Sequence, residues 1–195
     1  LLKRFDIPVY TKQGTWREIQ DKLVVPKNQL IELTKGSLTL GNLIVEPFAV
    51  SHDAADPIGI NVFSGNDKAT VVTDTGIISD DILHRLDDST LLVLEANYDP
   101  HMLRFGPYQP FLKQRVASDE GHLSNEMAAQ ALLMMKRPDF MQVILAHRSE
   151  NNNNAVLVTQ TIGKMLVDGG VRIGPEMKLQ HGQPNEIVSM QSVKR

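Results

Sequence analysis

Short apolar runs alternate with turn residues along this chain, and several of the runs end on a titratable side chain. Residues 69–73 form a β-branched stretch that predicts a buried strand, and Asp74 follows it directly before Thr75-Gly76 breaks the chain. Residues 91–94 predict a second buried strand ending on Glu95, and residues 142–146 a third ending on His147. Residues 43–50 feed into Ser51-His52-Asp53, which places His52 just past a fourth. Residues 58–63 and 69–73 flank Gly65-Asn66-Asp67 and predict a hairpin. His52 and Asp74 are therefore expected at comparable ends of neighbouring strands.

The helical pattern lies mostly beyond Asp74. Ser79 predicts the N-cap of a short helix whose first turn carries Asp80 and Asp81, where the helix dipole favours acids. Asp99-Pro100 predicts another short helix stopped by Gly106, with residues 107–111 as loop. Ser124 predicts a longer helix with Met127, Ala128, Ala131, Leu132 and Met135 on one face. Asn154 can cap a helix to about Asp168, where Gly169-Gly170 stops it. Before Asp74, residues 7–10 predict a strand. Thr15-Trp16-Arg17-Glu18 reads as a capping box opening a helix to about Leu23, closed by Pro26. Residues 30–50 are strand-like, with turns at Gly36 and Gly41-Asn42, and the tail predicts a strand at residues 187–190. The pattern is α/β, with neither internal repeat nor linker, so residues 1–195 read as one domain.

Composition narrows the chemistry. With 195 residues, 42% of them hydrophobic and 22% charged, the chain can bury a core and is globular rather than disordered. No apolar run approaches a membrane span, and no basic-then-apolar leader is present, so a cytoplasmic protein is expected. Cysteine is absent, which excludes disulfides and thiolate metal sites and leaves His and carboxylate as the available ligands. A net charge of −3 gives no global pull toward nucleic acid, so DNA binding would need a local basic patch. The opening Leu1-Leu2-Lys3-Arg4, without a Met, suggests a piece of something longer.

When sheet strands end on one side, residues just past their ends converge on one cleft. Each candidate alone has an ordinary reading. Asp74 can close a turn, His52 can be a satisfied core histidine, Glu95 a helix-dipole partner and His147 a loop residue. Four of them at four strand ends are hard to explain as packing. Together they look like a His and carboxylate ligand set suited to zinc or manganese. His122 sits two residues before the Ser124 cap, where it is either a loop histidine bonded to backbone or a proton shuttle beside an anionic substrate. His84, His101 and His181 read as solvated. Arg104, Lys113 and Arg115, interleaved with Phe105, Tyr108 and Phe111, can track phosphates and stack on frayed bases, or simply face solvent.

Five segments occur in a telling order: residues 51–57 (Ser-His-Asp-Ala-Ala-Asp-Pro), 72–76 (Val-Thr-Asp-Thr-Gly), 94–97 (Leu-Glu-Ala-Asn), 118–125 (Ser-Asp-Glu-Gly-His-Leu-Ser-Asn) and 146–149 (Ala-His-Arg-Ser). From residue 1 to about 170 the chain resembles the YycJ/WalJ (VicX) branch of the metallo-β-lactamase-fold hydrolases. That resemblance implies an αββα sandwich, two divalent ions (zinc or manganese), a water activated by the ion pair, and exonuclease action on DNA. It implies His52 as a terminal ligand of the first ion, Asp74 as the bridging carboxylate and His147 as a ligand of the second. Glu95 and His122 match the acid and histidine that nuclease members place beside the metals for proton transfer. Asn97 and the loop with Asn151 and Asn152 can donate to phosphate oxygens, alongside Arg104, Lys113 and Arg115.

The chain departs from the family pattern at three points. The His-x-His-x-Asp-His motif belongs upstream of Leu1 and is not in this sequence. Tyr98 stands where relatives usually carry His, and Arg148 where they usually carry an apolar residue. A complete two-metal site needs the missing cluster. The expectation is therefore a fragment with an exposed sheet edge, or a homo-oligomer in which another copy covers the open side. Two other classes stay open: a small-molecule phosphoester or thioester hydrolase on the same fold, and a metal-free interaction module.

Overall fold

The computed structural model describes residues 4–23, 25, 26, 28–33, 36–184 and 186–189. In chain order the elements are β1 (Val9–Thr11), α1 (Gln13–Ile19), β2 (Leu30–Glu32), β3 (Leu38–Leu40), β4 (Leu43–Ala49), β5 (Ile58–Ser64), β6 (Asp67–Val72), α2 (Asp80–Leu86), β7 (Leu91–Glu95), α3 (Pro100–Phe105), α4 (Pro110–Val116), α5 (Asn125–Met134), β8 (Met141–Ala146), α6 (Ala155–Asp168) and β9 (Met177–His181). Strands β3 to β9 form one seven-stranded sheet in sequence order, and β1 pairs with β2 in a separate two-stranded sheet. The first four strands of the large sheet are antiparallel and the last four parallel. Short turns join β3 to β4 and β5 to β6, and a longer loop over residues 50–57, carrying His52, joins β4 to β5. Strands β6, β7, β8 and β9 are joined by mostly helical crossovers that restore direction.

This topology positions the site. Two antiparallel steps return β6 to the direction of β4, so β4, β6, β7 and β8 all run the same way and end on the same side of the sheet. His52 and Asp74 lie past strands separated by β5, next-but-one rather than adjacent as expected. The β5–β6 turn is the foreseen hairpin. Ser64 pairs with Asp67, leaving Gly65-Asn66 as a two-residue loop with Gly65 at φ +58°.

The sheet's two faces differ. Phe48, Val72, Leu92, Leu94, Val143 and Leu145 point to one side and are buried with residues of α2, α5 and α6 in the main core. The other side carries Val45, Ile60, Val62, Ala69, Val71 and Val93, none of them fully buried. Of the four layers of an αββα sandwich, the described residues show this helical layer and the large sheet, with α1, β1 and β2 as a further small unit. Strands β3 and β9 are the edges. A smaller cluster of Tyr98, Leu103 and Val116, with Tyr108 and Leu112 against it, fastens α3 and α4. No helix among the described residues is long and apolar enough to cross a membrane.

Several expected boundaries move. Helix α1 starts two residues before Thr15 and stops at Ile19, and its N-cap, Lys12, makes no side-chain cap bond. The Thr15 hydroxyl instead donates to the Asp56 carbonyl at 3.2 Å, so no capping box forms. Pro110 and Phe111 belong to α4, with proline in its first turn, rather than to a loop. The last strand among the described residues is β9, which pairs with β8; residues 187–189 form no strand, Ile187 is 96% exposed, and Met190 lies outside the described residues.

Candidate metal centre

Glu95 anchors the arrangement. It is the last residue of β7 and fully buried. Its Oε1 lies 2.7 Å from His122 Nδ1 and 2.8 Å from His147 Nδ1, while its Oε2 accepts the Thr75 amide at 3.1 Å. A carboxylate accepts, so each imidazole directs its Nδ1–H to Glu95 and keeps Nε2 for the cleft. Burial pushes the Glu95 carboxyl up, but the bonds from His122 and His147, the charge of His122 and the Thr75 amide outweigh it and hold the group below its ordinary value. The Glu95 bond raises His147 above its ordinary value against the effect of burial, with the charges of Glu95 and Asp74 adding to it.

The other donors face the same space. His52 Nδ1 lies 3.1 Å from the Gly121 carbonyl, which can only accept, so its Nε2 carries the free lone pair. That Nε2 lies 3.7 Å from Asp74 Oδ1, and His147 Nε2 lies 3.5 Å from the same oxygen. The His122 ring is 5.1 Å from that of His52 and 5.2 Å from that of His147. Two overlapping triads result, His52–Asp74–His122 and Glu95–His122–His147, each with donor atoms within 4.8 Å of one another. Their imidazole and carboxylate chemistry fits a divalent transition metal. Glu95, already bonded three times, is the orienting group behind the rings rather than a free ligand.

Backbone strain marks the same residues. Among the described residues three non-glycines have positive φ, and two of them are Asp74 at 56° and His147 at 51°. Such conformations cost about 1–3 kcal/mol and persist where the surroundings hold them. The holding group at Asp74 is Thr75, which sequence reading passed over. Its hydroxyl donates to the Ile77 carbonyl at 2.8 Å and receives the Ser51 amide at 3.3 Å, so one buried residue ties together the ends of β4, β6 and β7. Gly76 lets the loops close, because a Cβ there would sit 2.3 Å from backbone atoms of Ser118 and Asp119. The Thr75–Ser51 bond and the Gly76 approach have no local sequence signal, since each joins loops more than twenty residues apart.

The expected substrate contacts divide. Arg115 is bonded to Asp53 through Nε and, at 2.9 Å, through Nη2, so it grips the residue next to His52. Asn97 is buried and donates to the His147 carbonyl at 2.7 Å. Asn152 is buried too, its amide donating to Ser149 Oγ at 3.1 Å. The structure turns these two inward and leaves Asn151 exposed, along with Arg104 and the half-exposed Lys113. His84 and His101 are exposed as expected, but His181 is half-buried, with Nε2 2.8 Å from Thr159 Oγ. Desolvation, together with the charge of Arg148, pushes His181 below its ordinary value.

A family model described as the Beta-lactamase superfamily domain matches residues 1–147. The chain belongs to the beta-lactamase superfamily. It is 32% identical over 195 residues to the exodeoxyribonuclease YycJ of Bacillus anthracis, a match covering 99% of this chain and 74% of that protein. It is 30% identical over 190 residues to the exodeoxyribonuclease WalJ of Streptococcus pneumoniae serotype 2, covering 95% of this chain and 70% of that relative. Among solved structures, the metallo-beta-lactamase fold protein YhfI from Bacillus subtilis superposes with a TM-score of 0.63 at 13% identity, over 90% of this chain and 62% of that one. At that identity the likeness concerns the fold. The resemblance read from the motifs and the α/β metallo-β-lactamase fold both hold.

Proposed function

We propose that this chain serves a metal-dependent phosphodiesterase, an exodeoxyribonuclease working on DNA ends. The supporting observation is the meeting of His52, Asp74, His122 and His147 around Glu95 past the ends of neighbouring strands of one sheet. His52, Asp74 and His147 would each contribute a ligand to a centre of two divalent ions, zinc or manganese. Such ions supply Lewis-acid polarisation of phosphoryl oxygens and lower the pKa of water. Glu95 orients both imidazoles through their Nδ1 atoms. His122, with Nε2 turned to the cleft, takes a proton from the attacking water and passes it to the leaving oxygen. Arg104 and Lys113 meet backbone phosphates, Asn151 lies on the exposed loop beyond His147, and Arg115 steadies the His52 loop through Asp53.

The test is turnover of end-labelled duplex DNA by wild type and His122→Ala, with metal content measured on both. General acid catalysis contributes about 10²- to 10⁴-fold. A loss in that range with metal retained supports the assignment. Unchanged turnover overturns it, and loss of metal along with turnover makes His122 a ligand instead.

A further inference from the structure

We propose that α3 and α4 together form a docking platform for a frayed DNA end, with the Phe111 ring stacking on an unpaired base while Arg104 and Lys113 hold adjoining phosphates. This rests on the DNA reading above and gives it a surface.

The two helices keep their cohesion on their inner side, through Leu103, Leu112 and Val116 packed with Tyr98 and Tyr108. Phe105 and Phe111 take no part in that cluster and remain 67% and 71% exposed. The two rings are not equivalent. Phe105 lies 4.6 Å from the His101 ring and has the Arg104 guanidinium 5.4 Å from its centroid. No such ring or cation contact occupies Phe111 among the described residues, so its face is open to a base.

Charge selects the occupant. Residues 98–117 carry Arg104, Lys113 and Arg115 against Asp99 alone, in a protein whose net charge is −3. Lys113 Nζ donates to the Arg104 carbonyl at 2.8 Å, which holds the end of α3 against the middle of α4 and sets the Lys113 ammonium beside the backbone of the residue that carries the second cation. The platform is also tied to the metal centre. Arg115 grips Asp53 beside His52, and the Val116 carbonyl accepts the His122 amide at 2.9 Å. A strand gripped on α4 is thereby held one helix away from the residues that would cleave it.

The experiment measures fluorescence anisotropy with nuclease-resistant phosphorothioate DNA in two forms, a duplex with a single-stranded tail and a closed dumbbell without ends. Wild type, Phe111→Ala and Phe111→Trp are compared. Phe111→Ala should weaken binding of the tailed duplex about tenfold, within the range for one stacked base, and leave the dumbbell unchanged, while Phe111→Trp keeps wild-type affinity. Equal affinity of wild type and Phe111→Ala for the tailed duplex overturns the platform alone. A change in oligomeric state with DNA affinity unchanged overturns it in favour of a second copy of the chain. Failure of wild type to bind either DNA overturns the DNA reading, and the platform with it.

Discussion

Glu95 shows how one residue can set the chemistry of two others. A single buried oxygen accepts from both His122 and His147, so removing its charge releases both rings. Glu95→Gln is expected to lower metal affinity about 10- to 100-fold, the usual cost of losing an orienting partner behind a ligand. Calorimetric titration with zinc or manganese would measure it. The metal-free protein makes a second prediction through linkage. His147 is raised above its ordinary value of 6.5, so the folded state binds more protons there, and that stabilisation is complete below 6.5 and lost as pH rises through the folded pKa. Glu95 is lowered from 4.5, so its contribution is present above 4.5 and lost as pH falls through the folded pKa. Thermal unfolding of chelator-treated protein should therefore peak between these limits, and the difference between wild type and Glu95→Gln should shrink on both sides. His52, Asp74, Glu95 and His147 were legible because each lies at or just past the end of an apolar run. Thr75 and the Asp53–Arg115 pair were not, because the bonds from Thr75 to Ser51 and Glu95 and from Arg115 to Asp53 span twenty residues or more.

Caps and close approaches decide how the elements present these residues. Ser79, Ser124 and Asn154 each accept from the backbone amide three residues on, as their sequence positions imply. Asn154→Ala should cost about 1 kcal/mol in urea unfolding and leave metal affinity unchanged, since its cap bond stays within the start of α6. Gly76→Ala should behave differently. The new Cβ would meet rigid backbone of residues 118 and 119, and only a shift of one loop can relieve the overlap. Overpacking of this kind costs about 1–3 kcal/mol, and here metal affinity should fall together with stability because the displaced loops carry Asp74 and His122. Parallel urea and metal titrations on the two variants separate the cases. The capped helices were readable from sequence. Helix α4 was not, because its seven residues lack a side-chain cap bond and carry only the proline of its first turn as a signal. The Thr15 box misled for the opposite reason, since its hydroxyl found a partner in Asp56 instead of its own helix.

At the scale of the whole molecule the run of buried strands was legible and the sheet's last edge was not. Strand β9 is polar in alternation and gains its place only by pairing with β8. Electrostatics at this scale lead to the remaining prediction. A chain of net charge −3 repels a polyanion at long range, so binding to DNA must draw on the local cations of α3 and α4. Each phosphate neutralised adds about −0.7 to the slope of log affinity against log salt for a single strand and about −0.9 for a duplex. Contacts from Arg104 and Lys113 therefore predict a slope of about −1.4 to −1.8. Arg104→Ala and Lys113→Ala should each reduce it by about one contact. Arg115→Ala should leave the slope nearly intact, because its guanidinium is committed to Asp53, and should instead loosen the His52 loop and lower metal affinity. A flat salt response in wild type would remove nucleic acid as the substrate and leave a small phosphoester as the ligand for the same metal centre.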